Sequence, residues 1–193
     1  CEHAKVMQDL LHDWQQDFSK RHQVRLDCGL GDLHVLPEIQ KSYQEARLAL
    51  SYGRTKHEHG FFRCYEDCGI ISNIFSGGVE SAFAFCRSAL GRLLDYDGEN
   101  DADLLVTLKL LLETNFNYSA TAADLFIHAN TVRYRCEKIE QLLMLDLRDP
   151  DVRFNLYAAL RVQGILVDMH ILPGGYVGRG HEKLHSSEAA TGH

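Results

Sequence analysis

The stretch ATAADLFIHANTVRYRCEKIEQLL, residues 120–143, carries the side chains best suited to bind another molecule. On a helix that advances about 100° per residue, one side of residues 130–143 is polar and the other is apolar. Amide, hydroxyl, phenol and cationic groups in this combination suit base edges and phosphate oxygens. The polar side and its flanks present Asn130, Thr131, Arg133, Tyr134, Arg135, Glu137 and Lys138.

An apolar stripe on the same segment would anchor this helix to a core. Its members fall within about 60° of one another on the helical wheel. They are Val132, Cys136, Ile139 and Leu143. In the preceding run, Ala122, Leu125 and Phe126 are predicted to form the inner face of a first helix, with Ala122 small enough for a crossing helix to approach.

The joint between the two runs, residues 128–130, has the ~3 to 4 residues that a helix-turn-helix uses, although it lacks the usual glycine. His128 or Asn130 is expected to cap the second helix, which would leave the positive end of the helix dipole facing a phosphate. Two surface helices of a bundle with solvated arginines would show the same spacing. Periodicity alone therefore leaves both interpretations open.

Composition restricts the protein class. The 193 residues are 45% hydrophobic and 24% charged, as in an ordinary globule, and no apolar run approaches the ~18 residues of a membrane span. No secretory signal is recognised, so a cytoplasmic protein without a membrane partner is expected.

The net charge of −7 argues against general coating of nucleic acid, so any DNA contact must be local. A first residue other than methionine suggests a fragment, and the six scattered cysteines are interpreted as free thiols.

The first part of the chain predicts alternating helices and strands. A helix over 3–22 would turn Val6, Leu10, Leu11, Trp14 and Phe18 inward, with Trp14 in the core. Alternation over 24–28 predicts a strand that ends at "GLGD". A second helix after Pro37 would bury Ile39, Tyr43, Ala46 and Leu50 and stop at Gly53, and "GFFRCYEDCGI" predicts a second strand.

The second part predicts helices only. Helical periodicity runs from residue 74 to residue 172 and is interrupted by "DYDGEN" (95–100), "HAN" and "RDP". The predicted fold class is α+β but mostly α. The predicted domains are a small α/β segment over 1–70 and an all-α helix-turn-helix bundle over 74–172. Residues 173–193, which lack periodicity, are predicted to be a tail.

The motif around the joint resembles the C-terminal helix-turn-helix of the PucR/CdaR group of bacterial transcription regulators. In that group a Thr-Ala-x-x-Leu helix precedes His-x-Asn-Thr-x-x-Tyr-Arg, and an Asp-Pro pair follows downstream. The matching positions here are Thr121, Ala122, Leu125, His128, Asn130, Thr131, Tyr134, Arg135, Asp149 and Pro150. The resemblance covers residues 74–163. Cys136 replaces a larger aliphatic residue, which predicts a looser helix contact, and Ala129 replaces a frequent arginine.

The first part has a weaker resemblance to the second half of a GGDEF-like domain. It rests on "CGLGD", "SYQEARLALSYGR" and "FFRCYED". The Gly-Gly-Asp/Glu-Glu-Phe turn of an active cyclase would lie before Cys1, so the resemblance implies a non-catalytic linker or dimerisation module. A nucleotide-cyclising enzyme stays a third possibility that only a longer chain would test.

Other chemistry is less well supported by the sequence. His57, His59, Cys64 and Cys68 are close in sequence, but their spacing does not match a zinc knuckle, so no metal site is predicted. The sequence also contains neither a recognisable Cys-His nucleophile turn nor a phosphate-binding glycine loop. No catalytic residue and no cofactor are therefore predicted.

The combined prediction is a sequence-specific DNA-binding regulator of a catabolic operon whose recognition helix, near residues 129–143, enters the major groove. Asn130 and Arg133 are expected to read base edges, and His128 to cap the helix. Thr131, Tyr134, Arg135 and Lys138 are expected to contact phosphates or to serve both roles. By family resemblance, the protein would bind paired half-sites as a homodimer, and a domain outside this chain would sense the small-molecule effector. The alternative is a helical module whose 130–138 face docks an acidic protein.

Overall fold

The secondary structure in this computed structural model is mostly helical. The structure describes residues 2–56 and 59–172. The described elements, in chain order, are α1 (Glu2–His22), β1 (Cys28–Leu30), α2 (Ile39–Thr55), β2 (Phe62–Cys64), α3 (Ile70–Phe75), α4 (Val79–Asn100), α5 (Leu104–Glu113), α6 (Tyr118–Asp124), α7 (Ala129–Leu143) and α8 (Pro150–Asp168). The mostly helical class is confirmed. No helix of the described part is long and apolar enough to cross a membrane.

The chain divides into two compact units, Cys1–Ser81 and Ala82–His193. The first contains a small sheet in which β1 and β2 run parallel, with Cys28 opposite Phe62 and Leu30 opposite Cys64. The predicted domain bounds of 1–70 and 74–172 stay a prediction. The predicted tail, 173–193, lies outside the described residues.

Strand β1 lies very close to helix α2, and this explains the glycines of "CGLGD". A Cβ atom on Gly29 would lie 2.3 Å from the carbonyl oxygen of Ala46, and one on Gly31 would lie 2.0 Å from that of Ser42. Any larger residue would push the strand off the helix. The two glycines therefore allow close packing between strand and helix, rather than only the tight loop that the sequence suggested.

The buried faces of α1 and α2 differ from the predicted ones. The side chain of Trp14 is 55% exposed, and those of Val6 and Leu10 are exposed to a similar degree. The predicted burial of these three residues is therefore wrong. Helix α1 instead buries Gln15, whose Nε2 donates hydrogen bonds to the carbonyl oxygens of Leu26 (2.6 Å) and Gly60 (3.2 Å). An apolar stripe shows that a helix is amphipathic, but it does not identify which side meets the sheet.

Helix α2 also buries a different set of residues from the predicted one. Leu48 and Ala49 are buried, whereas Ile39 and Tyr43 are exposed, contrary to the prediction. Gly53 does not end the helix, which continues to Thr55. A Cβ at Gly53 would lie 2.3 Å from the Phe61 ring, so this glycine makes room for an aromatic side chain.

The second unit is all-helical in its described part, as predicted, but the first joint is shifted. Residues 95–100, predicted as a joint, form the end of α4, and the chain turns at 101–103. Asp101 and Asp103 adopt positive φ there. The Asp97 carboxylate accepts hydrogen bonds from the N–H groups of Leu104 (3.0 Å) and Leu105 (2.7 Å), so the last turns of α4 cap α5.

Replacing Gly29 by alanine should lower the free energy of unfolding of the first unit by about 1 to 3 kcal/mol, because the added methyl group overlaps backbone atoms of α2. Gly98 is the matched control, since a Cβ there meets nothing within 4 Å. Gly98→Ala should stabilise α4 by about 0.5 to 1 kcal/mol. Calorimetric unfolding checks both, and a neutral Gly29→Ala would refute the packing argument.

Candidate nucleic-acid interface

Helix α5 is the apolar centre to which the next helices attach. It packs against α6, α7 and α8. Five of its leucines and valines, together with Thr107, are buried. This concentration of apolar residues lets the neighbouring helices bury one side each and leave the other in solvent.

Helix α6 is held by a side-chain cap at its start and by a partly buried pair of hydroxyl groups at its middle. The Asn117 side chain caps the helix by accepting from the N–H of Ala120 at 3.1 Å. The hydroxyl groups of Thr121 and Thr114 are 2.8 Å apart, and Thr121 is fully buried beside the buried Ala122. The Thr-Ala pair of the motif therefore fixes α6 on α5.

The turn between α6 and α7 closes with a Schellman arrangement. The N–H of Ile127 donates to the carbonyl of Ala122 (3.0 Å), and the N–H of Phe126 donates to that of Ala123 (3.2 Å). Phe126 occupies the left-handed position, φ 56°, where glycine is usual. It is 91% exposed, so its predicted place on the inner face is wrong. The helix ends before residue 126, and the left-handed residue points away from the core.

Helix α7 is capped by His128, the residue that precedes its first helical residue, Ala129. The His128 Nδ1 accepts a hydrogen bond from the N–H of Asn130 at 3.1 Å. Its carbonyl oxygen accepts from the N–H groups of Thr131 and Val132. The first turn of the helix is consequently ordered and exposed at the end where an incoming phosphate would be attracted.

The inner stripe of α7 is buried as the spacing predicted. Val132, Cys136 and Ile139 are buried, and Leu143 is half-buried. The Tyr118 hydroxyl donates a hydrogen bond to the Cys136 sulfur at 3.5 Å. This bond, with burial, raises the pKa of Tyr118 to about 12. Burial raises the pKa of the Cys136 thiol, which therefore stays protonated at neutral pH.

The opposite side of α7 is open to solvent. Tyr134, at the centre of this side, is 66% exposed. Asn130, Thr131, Arg133 and Glu137 are also exposed. The Arg133 guanidinium lies 5.8 Å from the centre of the Tyr118 ring, which places its charge at the side of the helix nearest α6. We call the surface formed by Asn130, Thr131, Arg133 and Tyr134 the α7 polar face.

The two remaining cations of the segment have partners within the unit. Arg135 is only 19% exposed, and its Nη1 donates to the Thr107 hydroxyl at 3.1 Å. Its Nη2 lies 3.6 Å from the Asp103 carboxylate at the start of α5. The Lys138 ammonium lies 5.0 Å from the Tyr96 ring centre. The predicted phosphate contacts of Arg135 and Lys138 stay predictions, and these intramolecular contacts compete with them.

The Asp-Pro pair of the motif starts helix α8. The Asp149 carboxylate accepts a hydrogen bond from the N–H of Asp151 at 2.8 Å, and Pro150 occupies the first turn. Upstream, the Glu140 carboxylate accepts from the N–H of the buried Leu147 at 3.0 Å. These contacts fix the chain that leaves α7. The partners Asp97, Asp103 and Glu140 were missed by sequence reasoning, because an isolated acidic residue carries no periodic signal.

Within 2–56 and 59–172, no group of three or more His, Cys, Asp or Glu side chains is placed to hold a metal ion. His57 lies outside the described residues. The five described cysteines, Cys28, Cys64, Cys68, Cys86 and Cys136, are free thiols.

Residues 104–162, from α5 into α8, match the PucR C-terminal helix-turn-helix domain family. The chain is 32% identical over 165 residues to the purine catabolism regulatory protein of Bacillus subtilis, covering 85% of this chain and 31% of that protein. It is 31% identical over 143 residues to the carbohydrate diacid regulator of Escherichia coli, covering 72% of this chain and 36% of the relative. No solved structure matches the chain.

The fold, the exposed polar side of α7 and these similarities define the class. Residues 104–162 form a helix-turn-helix domain similar to that of PucR-type transcriptional regulators. These residues belong to the PucR C-terminal helix-turn-helix family. The chain spans about a third of the length of the two relatives described, 31% and 36%.

The contrast between two arginines on α7 gives a stability prediction. Arg135→Ala should lower the free energy of unfolding by about 1 to 3 kcal/mol, because it removes charge-assisted contacts to Thr107 and Asp103. Arg133→Ala, on the exposed side of the same helix, should cost less than about 1 kcal/mol. Urea titration of the two variants measures both, and equal losses would contradict the assigned difference in burial.

Proposed function

We propose that this protein regulates a catabolic operon and that the N-terminal half of α7 enters the major groove of its operator. The observation that carries the proposal is the division of α7. Its apolar stripe is buried on the unit's own core, while the α7 polar face is exposed from the first turn onward. A helix anchored in this way can present hydrogen-bonding groups to a groove while its apolar stripe stays packed on the core.

Base reading is assigned to Asn130 and Arg133. An exposed asparagine can bond adenine in a bidentate manner, and an exposed arginine can do the same with guanine. Thr131 and Tyr134 are exposed beside them and suit phosphate oxygens. Arg135 can contact a phosphate only if its interactions with Thr107 and Asp103 are broken or shared with that phosphate. The same holds for Lys138 and its contact with the Tyr96 ring.

The wider role rests on the relatives. Those described are named for regulation of purine catabolism and of carbohydrate diacids. By analogy with these relatives, we propose that this protein responds to a small catabolic effector bound by a domain outside this chain. We also propose that it acts in the cytoplasm as a homodimer. The role is regulatory rather than catalytic. The first unit is proposed to be a non-catalytic GGDEF-like segment, and this proposal rests on the sequence motifs "CGLGD", "SYQEARLALSYGR" and "FFRCYED".

A band shift tests the DNA assignment. The probe is a duplex covering the region upstream of the protein's own operon, with a random-sequence duplex as competitor. Arg133→Ala should weaken specific binding by about 1 to 3 kcal/mol if Arg133 reads a base. Arg92→Ala, an exposed arginine on α4, is the matched control and should leave binding unchanged.

Salt dependence separates the proposal from the protein-docking alternative. Binding that neutralises phosphates weakens steeply as salt increases, because counterions are released. Absence of binding to any duplex at low salt would refute the DNA assignment and favour docking of an acidic protein on residues 130–138. Specific binding that is unchanged in Arg133→Ala would remove Arg133 from the reading set.

A further inference from the structure

Phe126 combines two unfavourable properties. Its backbone has φ 56°, the left-handed region in which residues with a side chain are strained and glycine is favoured. Its side chain is 91% exposed, so the ring gains no burial that would offset the strain. A residue that is both strained and exposed is a candidate for a role outside folding.

The turn itself does not need the ring. Both Schellman hydrogen bonds are made by backbone groups, from Ile127 to Ala122 and from Phe126 to Ala123. The apolar contact that usually accompanies this turn comes from the following residue. Here that residue is Ile127, which is half-buried. Glycine at position 126 would therefore make the same turn with less strain.

The position of Phe126 points to the surface that binds DNA. It precedes His128, the cap of α7, by two residues, and the α7 polar face begins at Asn130. In helix-turn-helix complexes the N-terminal end of the recognition helix meets the base edges. A side chain just before that end lies next to the groove wall when the helix is docked.

We propose that the Phe126 ring is an apolar DNA contact, packing on a thymine methyl group or a deoxyribose beside the groove entered by α7. This inference rests on the proposed function and adds a residue to it. Phe126 is the exposed large apolar side chain of this turn, because Leu125 and Ile127 are half-buried and Ala123 and Asp124 are small or charged. A single apolar group among polar ones is typical of base and sugar contacts in DNA interfaces.

The test uses Phe126→Gly, with Phe126→Tyr as the matched control that keeps both the ring and the backbone strain. The probe is a duplex selected from a random library by the unaltered protein. Phe126→Gly should raise the melting temperature by a few degrees, because glycine relieves the left-handed residue. The same variant should bind the selected duplex about 10-fold more weakly, and Phe126→Tyr should bind it nearly as well as the unaltered protein.

The salt dependence of binding should be the same for Phe126→Gly and the unaltered protein, because a phenyl ring neutralises no phosphate. Equal affinity of Phe126→Gly and the unaltered protein would overturn the inference and point to a protein partner for the ring. A lower melting temperature would also overturn it, since the ring would then be packing on its own unit.

The two proposals fail in different ways. If the unaltered protein selects and binds a duplex and Arg133→Ala weakens that binding, unchanged binding by Phe126→Gly refutes only the role of the ring. If the unaltered protein binds no duplex, the DNA function is refuted, and the contact assigned to Phe126 is refuted with it.

Discussion

Burial of Val132, Cys136 and Ile139 is the interaction on which the rest of the second unit depends. A helix with one apolar stripe gains stability only by placing that stripe against a core, and its remaining surface is then directed outward. The stripe of α7 packs among α5 and α6, so the orientation of the α7 polar face is a consequence of core packing. The α7 polar face needs no separate element to expose it.

Polar contacts define where along the core α7 sits. The Thr114 and Thr121 hydroxyl pair holds α6 against the end of α5, and His128 fixes the first turn of α7. Arg135 reaches back to Thr107 and Asp103 near the start of α5. The hydrogen bonds of Thr114, Thr121 and Arg135 are half-buried, and such bonds are sensitive to small displacements, since an unpaired group in the same place is costly. They therefore restrict the position of α7 more sharply than apolar packing alone.

Sequence periodicity predicted the elements of this second unit better than those of the first. The stripe of α7 and its start at His128 follow from local spacing and capping chemistry, both of which are properties of one short segment. The burial of Gln15 in place of Trp14 depends on which neighbour meets α1, and no local pattern contains that information. Phe126 was misplaced for a related reason. Apolar character favoured an inner position, whereas the left-handed turn that ends α6 directs the residue outward.

The central claim is that the exposed side of α7, centred on Tyr134, contacts DNA. The most direct measurement is photocrosslinking from a benzophenone amino acid introduced at position 134, with a second variant at the exposed Tyr157 of α8 as the control. Incubated with the duplex that the protein selects, position 134 should crosslink to DNA and position 157 should not. A bound duplex that crosslinks from 157 but not from 134 would contradict the account.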